Sequence, residues 1–251
     1  MPAQSIRIGC AGWSIPGRHA ALTGEGESML ARYATRFPIV EINSSFYRPH
    51  QQRTYERWAA SVPAAFRFSV KLPKAISHEA GLRGFGPALD AFLDAVGGLG
   101  RTLGGLLLQL PPSHVFDARV AAAFFGLLRR RTPVRVVCEP RHASWFTPQA
   151  DALLQRHGIG RAGADPARAP EAAQPGGDDA WRYWRWHGAP RMYYSAYDDA
   201  ALHALARTVV ARTASVRWVI FDNTAHGFAI ANAARLQDIL SGAALQEPGH
   251  A

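Results

Sequence analysis

Hydrophobic and polar positions alternate in eight short runs along the chain: 6–12, 39–47, 66–72, 103–110, 134–141, 158–165, 181–187 and 216–223. Period-two alternation of this kind predicts strands, and their spacing of about 25–40 residues matches a βα unit. Between them the period changes to that of helices. Leu89, Phe92, Leu93 and Val96 form an i, i+3, i+4, i+7 stripe within 86–99, and Val120, Phe124, Leu127 and Leu128 share a face within 117–130. Helices are also predicted at 28–37, 51–61, 148–157, 198–213 and 227–240. Ser28, Asp117 and Asp198 stand where N-caps belong, and Pro38 closes the first helix.

One interval breaks the alternation. Residues 166–180 are rich in Pro, Gly and Ala and carry no apolar stripe, so a loop is predicted where a sixth helix would stand. A second long loop is read at 14–27, and a disordered tail after 241. Eight strands alternating with helices over 1–251 predict a single (β/α)₈ TIM-barrel domain in the α/β class. An open doubly wound sheet is the competing arrangement. No Gly-rich phosphate-binding turn follows any strand to support it.

In such a barrel, ligands meet the C-terminal strand ends. The run at 181–187 puts Trp181, Tyr183, Arg185 and His187 on one face and Arg182, Trp184 and Trp186 on the other. The remaining strand ends supply Trp13, then Glu41 and Asn43, Lys71, Gln109, Glu139 and Arg141, Asp165, and finally Asp222 and Asn223. His142, Trp145, Tyr47 and Tyr194 follow in the connecting loops. Polar groups at nearly every strand end are costly to bury unless paired or used. Glu139 and Glu41 are acid/base candidates. Lys71 is a candidate base, Schiff-base amine or phosphate anchor, with a salt bridge to Glu41 or Glu139 as the competing role. Trp13, Asn43, Tyr47, Gln109, Arg141, His142, Trp145, Arg185, Tyr194 and Asn223 are candidates for holding a substrate. His142 and Ser144 lie two apart without a GxSxG elbow, which gives no support to a serine hydrolase.

Composition adds a charge of +9 at pH 7, carried almost wholly by Arg, since Lys71 and Lys74 are the only lysines. Such a surface attracts an anionic small molecule or nucleic acid, although a compositional drift towards Arg and Ala would raise the charge equally. No apolar run approaches the roughly 20 residues needed to span a bilayer. Met1–Cys10 lacks the layout of a signal peptide, and Cys10 and Cys138 sit in apolar strand patterns. Both point to a cytoplasmic protein with buried thiols and no membrane partner.

Glu139, Asp165, His187 and Asp222 end strands five to eight. A Glu, Asp, His, acidic series on consecutive strands can converge on a divalent cation such as Mn, Mg or Zn. The alternative is that these groups pair with Arg141, Arg161, Arg185 and Lys71.

The segments IGCAGWS, RYATRFPIVEINSSFYR, RFSVKLPKAISH, LGGLLLQLPPS, CEPRHASWF, WRYWRWHG and FDNTAHGFAIANAARL together resemble the YecE-like family, domain of unknown function 72. The resemblance runs from about residue 6 to 240 and implies a (β/α)₈ barrel with a motif-rich mouth; it supplies no reaction. That family is in turn similar to the xylose-isomerase-like barrels, in which Glu, Asp, His and Glu of the last four strands bind divalent metal. The resemblance aligns Glu139, Asp165 and His187 with the first three. At the fourth, YecE-like proteins show Asn-Asn where this chain has Asp222-Asn223.

Three functions are therefore expected in competition. One is hydrolysis of a phosphate-bearing substrate, nucleic acid among them. Another is metal-assisted sugar isomerisation or epimerisation. The last is non-catalytic nucleic-acid binding.

Overall fold

Ten strands pair into one curled sheet in the computed structural model, which describes residues 5–211 and 216–244. In chain order the strands are β1 (Ser5–Ala11), β2 (Ile39–Ile42), β3 (Arg67–Lys71), β4 (Leu103–Gln109) and β5 (Val136–Glu139). They continue with β6 (Ile159–Arg161), β7 (Gly163–Asp165), β8 (Gly176–Gly177), β9 (Arg182–Trp186) and β10 (Val216–Phe221). Their order across the sheet is β7-β9-β10-β1-β2-β3-β4-β5-β6-β8, and every pairing is parallel except β6 with β8.

The two ends of the sheet meet through one segment of chain. β6 pairs with β5, and β7, one residue later, pairs with β9. The hinge between them is Ala162, whose N–H donates to the Cys138 carbonyl at 2.8 Å. The sixth strand, expected unbroken over 158–165, is thus divided between two neighbours and curls the sheet into a barrel. Among the described residues seven α-helices lie outside: α1 (Met29–Ala34), α2 (Gln52–Ala60), α3 (Gly86–Val96), α4 (Ala118–Arg131), α5 (Pro148–Arg156), α6 (Asp199–Ala211) and α7 (Phe228–Ala244). The caps expected at Ser28 and Asp117 form, the first accepting from Ala31 N at 3.1 Å and the second from Arg119 N and Val120 N.

The sixth helix is replaced, as its composition predicts, by a 3₁₀ turn at Pro170–Ala173 and the two residues of β8. Arg161 fixes this loop from outside the barrel. It bonds Asp151 on α5 at 3.0 Å and the carbonyls of Glu171 and Gln174, and lies over the Phe146 ring. The pairing of Arg161 with acids at the mouth, one alternative raised by the sequence, is therefore not made. Residues 241–244 continue α7, where a disordered tail was expected; the rest of that tail lies outside the described residues.

Side chains from alternate positions fill the barrel. Ile39, Leu107, Val137, Trp181, Tyr183, Trp218 and Ile220 make an inner cluster separate from the larger core under the helices. Two indoles fit the floor because β4 offers glycines there: a methyl group on Gly105 would overlap Trp181, and one on Gly104 would overlap Trp218. Trp184 and Trp186 face outwards, the latter packed on Tyr197 with ring centroids 4.4 Å apart. Cys10 and Cys138 are free and buried. Among the described residues no helix is long and apolar enough to cross a membrane.

Candidate active site at the barrel mouth

Above the aromatic floor the inward positions turn polar. Register places Glu41 one residue past the Val40–Phe68 pair, Gln109 beside Glu139, and Arg185 beside Ile220. Arg185, completely buried, is the hub. Its Nε donates to Glu41 Oε2 at 3.0 Å and one terminal nitrogen to Glu41 Oε1 at 2.6 Å. That nitrogen also reaches Asp222 Oδ2 at 3.0 Å, and the other reaches Glu139 Oε2 at 2.5 Å. A planar guanidinium can serve three carboxylates in this way because its donors spread in a fixed fork. Tyr183 donates to Glu41 from below at 2.8 Å.

His187 closes the ring of charges. Its Nδ1 lies 3.0 Å from Asp222 Oδ2 and its Nε2 3.1 Å from Glu139 Oε1. Burial opposes a charged imidazole, but Glu139 and Asp222 outweigh it and raise the His187 pKa above its ordinary value. Burial likewise opposes ionisation of Glu139, yet Arg185, His187 and Arg141 hold its carboxyl well below the usual range. Arg141 adds a bond from Nε to Glu139 Oε1 at 3.0 Å. Arg185, Arg141 and His187, its pKa raised, thus face the three carboxylates and set the charge balance of the cluster.

Lys71 is outside that balance. It is only 5% exposed, yet no ion pair or hydrogen bond to its amine is found among the described residues. The salt bridge to Glu41 or Glu139 considered for it is not formed. Its Nζ lies instead 4.0 Å from the centroid of the Phe46 ring. Burial, then repulsion from Arg185, lowers its pKa to about 8 against the pull of Glu41, Asp222 and Glu139. His78 stands on the other side of this contact, its ring 4.9 Å from that of Phe46. Burial and the positive charges of Lys71, Arg141 and His114 lower its pKa. The mouth therefore carries surplus positive charge on its β3 side.

The other expected site residues divide by what they touch. Tyr47 and Tyr194 are exposed, and Arg191 lies over the Tyr194 ring at 4.2 Å. Asn43 sits at the start of a 3₁₀ turn rather than on a strand face; its amide nitrogen is 3.5 Å from Asp222 Oδ1, and its own Oδ1 is buried without a partner. Asn223 donates to the Ser195 carbonyl and to Asn232, which ties two loops together. Trp13 is half-buried edge-on against Trp58. One expectation needs correction. Trp145 is fully buried and donates to the His114 carbonyl at 2.9 Å, so it is packing rather than a ligand platform. His142 is half-buried and caps a 3₁₀ turn, accepting from Ser144 N through Nδ1.

The metal set also does not assemble. Among the described residues no three His, Cys, Asp or Glu side chains are grouped to hold a metal ion. Glu139, His187 and Asp222 do converge, but on the Arg185 guanidinium, and both imidazole nitrogens face carboxylates. Asp165 accepts from the Tyr197 hydroxyl at 2.6 Å. A divalent cation would have to displace a buried guanidinium, so these donors do not fit one.

Tyr193 and His78 are absent from the residues that the sequence pattern offered for the site. Tyr193 is held at φ +70, its hydroxyl 3.3 Å from Arg141 and its ring against His187. Nothing in a run of loop residues announces that conformation. The signal available for Phe46 and His78 was their position just beyond two strand ends that carry Glu41 and Lys71.

Residues 7–250 match the family described as "Protein of unknown function DUF72". The UPF0759 protein YecE of Escherichia coli K12 is 29% identical over 175 residues, which are 68% of this chain and 62% of YecE. The matched stretch thus spans somewhat under two thirds of that relative. A crystal structure of a DUF72 family protein from Enterococcus faecalis V583 superposes with a TM-score of 0.79 at 22% identity, covering 96% of this chain and 99% of that one. Another, from Thermotoga maritima MSB8, gives 0.77 at 24%, covering 94% and 99%. These likenesses establish the barrel fold.

Proposed function

The chain belongs to the DUF72 family, and from that premise we propose that its barrel mouth is an enzyme site for a phosphate-bearing substrate, nucleic acid being the favoured class. The observation that carries this reading is the unpaired Lys71 ammonium beside a charge cluster that is already balanced. An anion entering the mouth supplies the missing negative charge. Lys71 and Arg141 stand at or just past the ends of β3 and β5, Arg191 lies over the Tyr194 ring, and exposed Tyr47 and Tyr194 offer rings on which a base or sugar can stack. The overall charge of +9 favours a polyanion over a small one.

Hydrolysis needs a group to take a proton from water. Glu41 and Glu139, the carboxylates expected to do so, serve in this reading to hold Arg185, since each is buried and bonded on both oxygens. Lys71, with its pKa near 8, is the remaining base at the mouth. The isomerase reading needs a metal and a free pair of carboxylates, and the donor set favours neither.

The reading is tested by binding. Fluorescence anisotropy at low salt is expected to show association with a labelled single-stranded or duplex oligonucleotide. Arg191→Ala and Tyr194→Ala, both surface changes, are expected to weaken it several-fold. Equal affinity in both variants would move the site away from the mouth.

A further inference from the structure

We propose that Lys71 is a nucleophile that forms an imine with the open-chain carbonyl of a phosphorylated sugar. The inference rests on the mouth binding a phosphate-bearing substrate and names the reaction performed there. Four observations carry it. Lys71 ends β3 on the inward face, so its amine projects into the mouth. Its backbone is fixed, because Ser45 Oγ donates to the Lys71 carbonyl at 2.7 Å. The amine is buried yet unpartnered among the described residues, beside carboxylates committed to Arg185. One side of it is shielded by the Phe46 ring at 4.0 Å.

A lysine kept for stability would pair with Glu41 or Glu139. Burial and the nearby Arg185 guanidinium work towards the neutral amine, the form that attacks carbonyl carbon, while the Phe46 face holds the amine in place. The pKa near 8 agrees with this geometry. His78 lies beyond Phe46, with Nδ1 at 2.8 Å from Ser77 Oγ.

The step balances without a co-reactant. The Nζ lone pair forms a C–N bond to the carbonyl carbon, and the C=O π pair moves to oxygen, which takes a proton. The nitrogen loses one proton, giving a neutral carbinolamine. Protonation of its hydroxyl from solvent releases water, and the nitrogen lone pair forms the C=N⁺ iminium. Arg141 and Arg191 are left to hold the phosphate. Such a carbonyl occurs in a free sugar phosphate and in the ring-opened sugar of an abasic nucleotide.

Sodium cyanoborohydride traps the imine as a secondary amine. The full-length protein is incubated with ribose 5-phosphate in one arm and with an oligonucleotide bearing one abasic site in the other, then digested and mapped by mass spectrometry. An adduct on Lys71, at least tenfold above that on Lys74 and lost in Lys71→Arg, is the expected result. Lys74 is the chain's other lysine and half-exposed, so it reports unselective labelling. An adduct in the sugar phosphate arm alone assigns a small substrate; one in the oligonucleotide arm alone assigns nucleic acid; either supports the imine. Lys71→Met serves if the arginine variant does not fold, as judged by circular dichroism. No adduct on Lys71 in either arm, or equal labelling of Lys74, overturns the proposal. Binding of a tetrahydrofuran oligonucleotide, which has no carbonyl, is measured in parallel. Binding without trapping overturns the imine alone; absence of both overturns the phosphate-binding reading as well.

Discussion

Arg185 decides the electrostatics at the scale of single residues. A buried guanidinium is tolerable here because Glu41, Glu139 and Asp222 accept its hydrogen bonds. Arg185→Leu, which removes the cation and leaves the acids buried, is expected to cost about 3–5 kcal/mol, read as a lower urea midpoint. An unchanged midpoint would mean that the carboxylates find other partners. His187 gives a prediction with a definite sign. Its folded-state pKa is raised above 6.5, so the stability it adds is complete below that pH and is lost as pH rises through the raised value. Glu139 runs the other way: its pKa is lowered from 4.5, so its contribution is present above that pH and lost as pH falls through the lowered value. The stability gap between the wild type and His187→Gln should therefore narrow on going from pH 6 to alkaline pH. A gap independent of pH would show that the ring is neutral throughout. These residues were legible in the sequence because alternation put Arg185 and His187 on one face and Glu41, Glu139 and Asp222 at strand ends. What the pattern could not tell was whether they hold a ligand or one another. That depends on distances of 2.5–3.1 Å set by barrel closure.

At the scale of elements, the strands were read well wherever both faces had a job. Outward apolar residues packing under helices and inward residues filling the barrel give the period-two pattern. The pattern misled where a segment serves two neighbours. β6 and β7 read as one strand because alternation carries no record of which strand lies alongside, and Arg161 was placed near the mouth although it faces α5 and the loop at 170–174. The loop aromatics misled differently. Trp145 and Tyr194 look alike in sequence, but one is buried under the β4–α4 connection and the other lies open beside Arg191. The floor of the barrel offers a test of element packing. Gly105→Ala places a methyl group against the rigid Trp181 indole and is expected to destabilise by about 1–3 kcal/mol, seen in a lower thermal midpoint. No loss would mean that the indoles can shift within the barrel.

The whole molecule combines a balanced interior with an unbalanced surface. The charge of +9 is carried almost wholly by Arg, while the mouth holds one buried lysine with no ion pair among the described residues. Composition alone could not separate a binding surface from a drift in Arg content; the position of Lys71 at the mouth, near Arg185 and His78, is what favours binding. Counterion release makes that claim measurable, because each phosphate neutralised adds to the slope of log K against log salt. The most direct measurement is anisotropy of a labelled oligonucleotide titrated with the wild type and Arg191→Ala across a salt series. The account predicts binding that weakens steeply with salt, and a slope about one unit shallower in the variant. Binding that ignores salt, or no binding at the lowest salt, would contradict it.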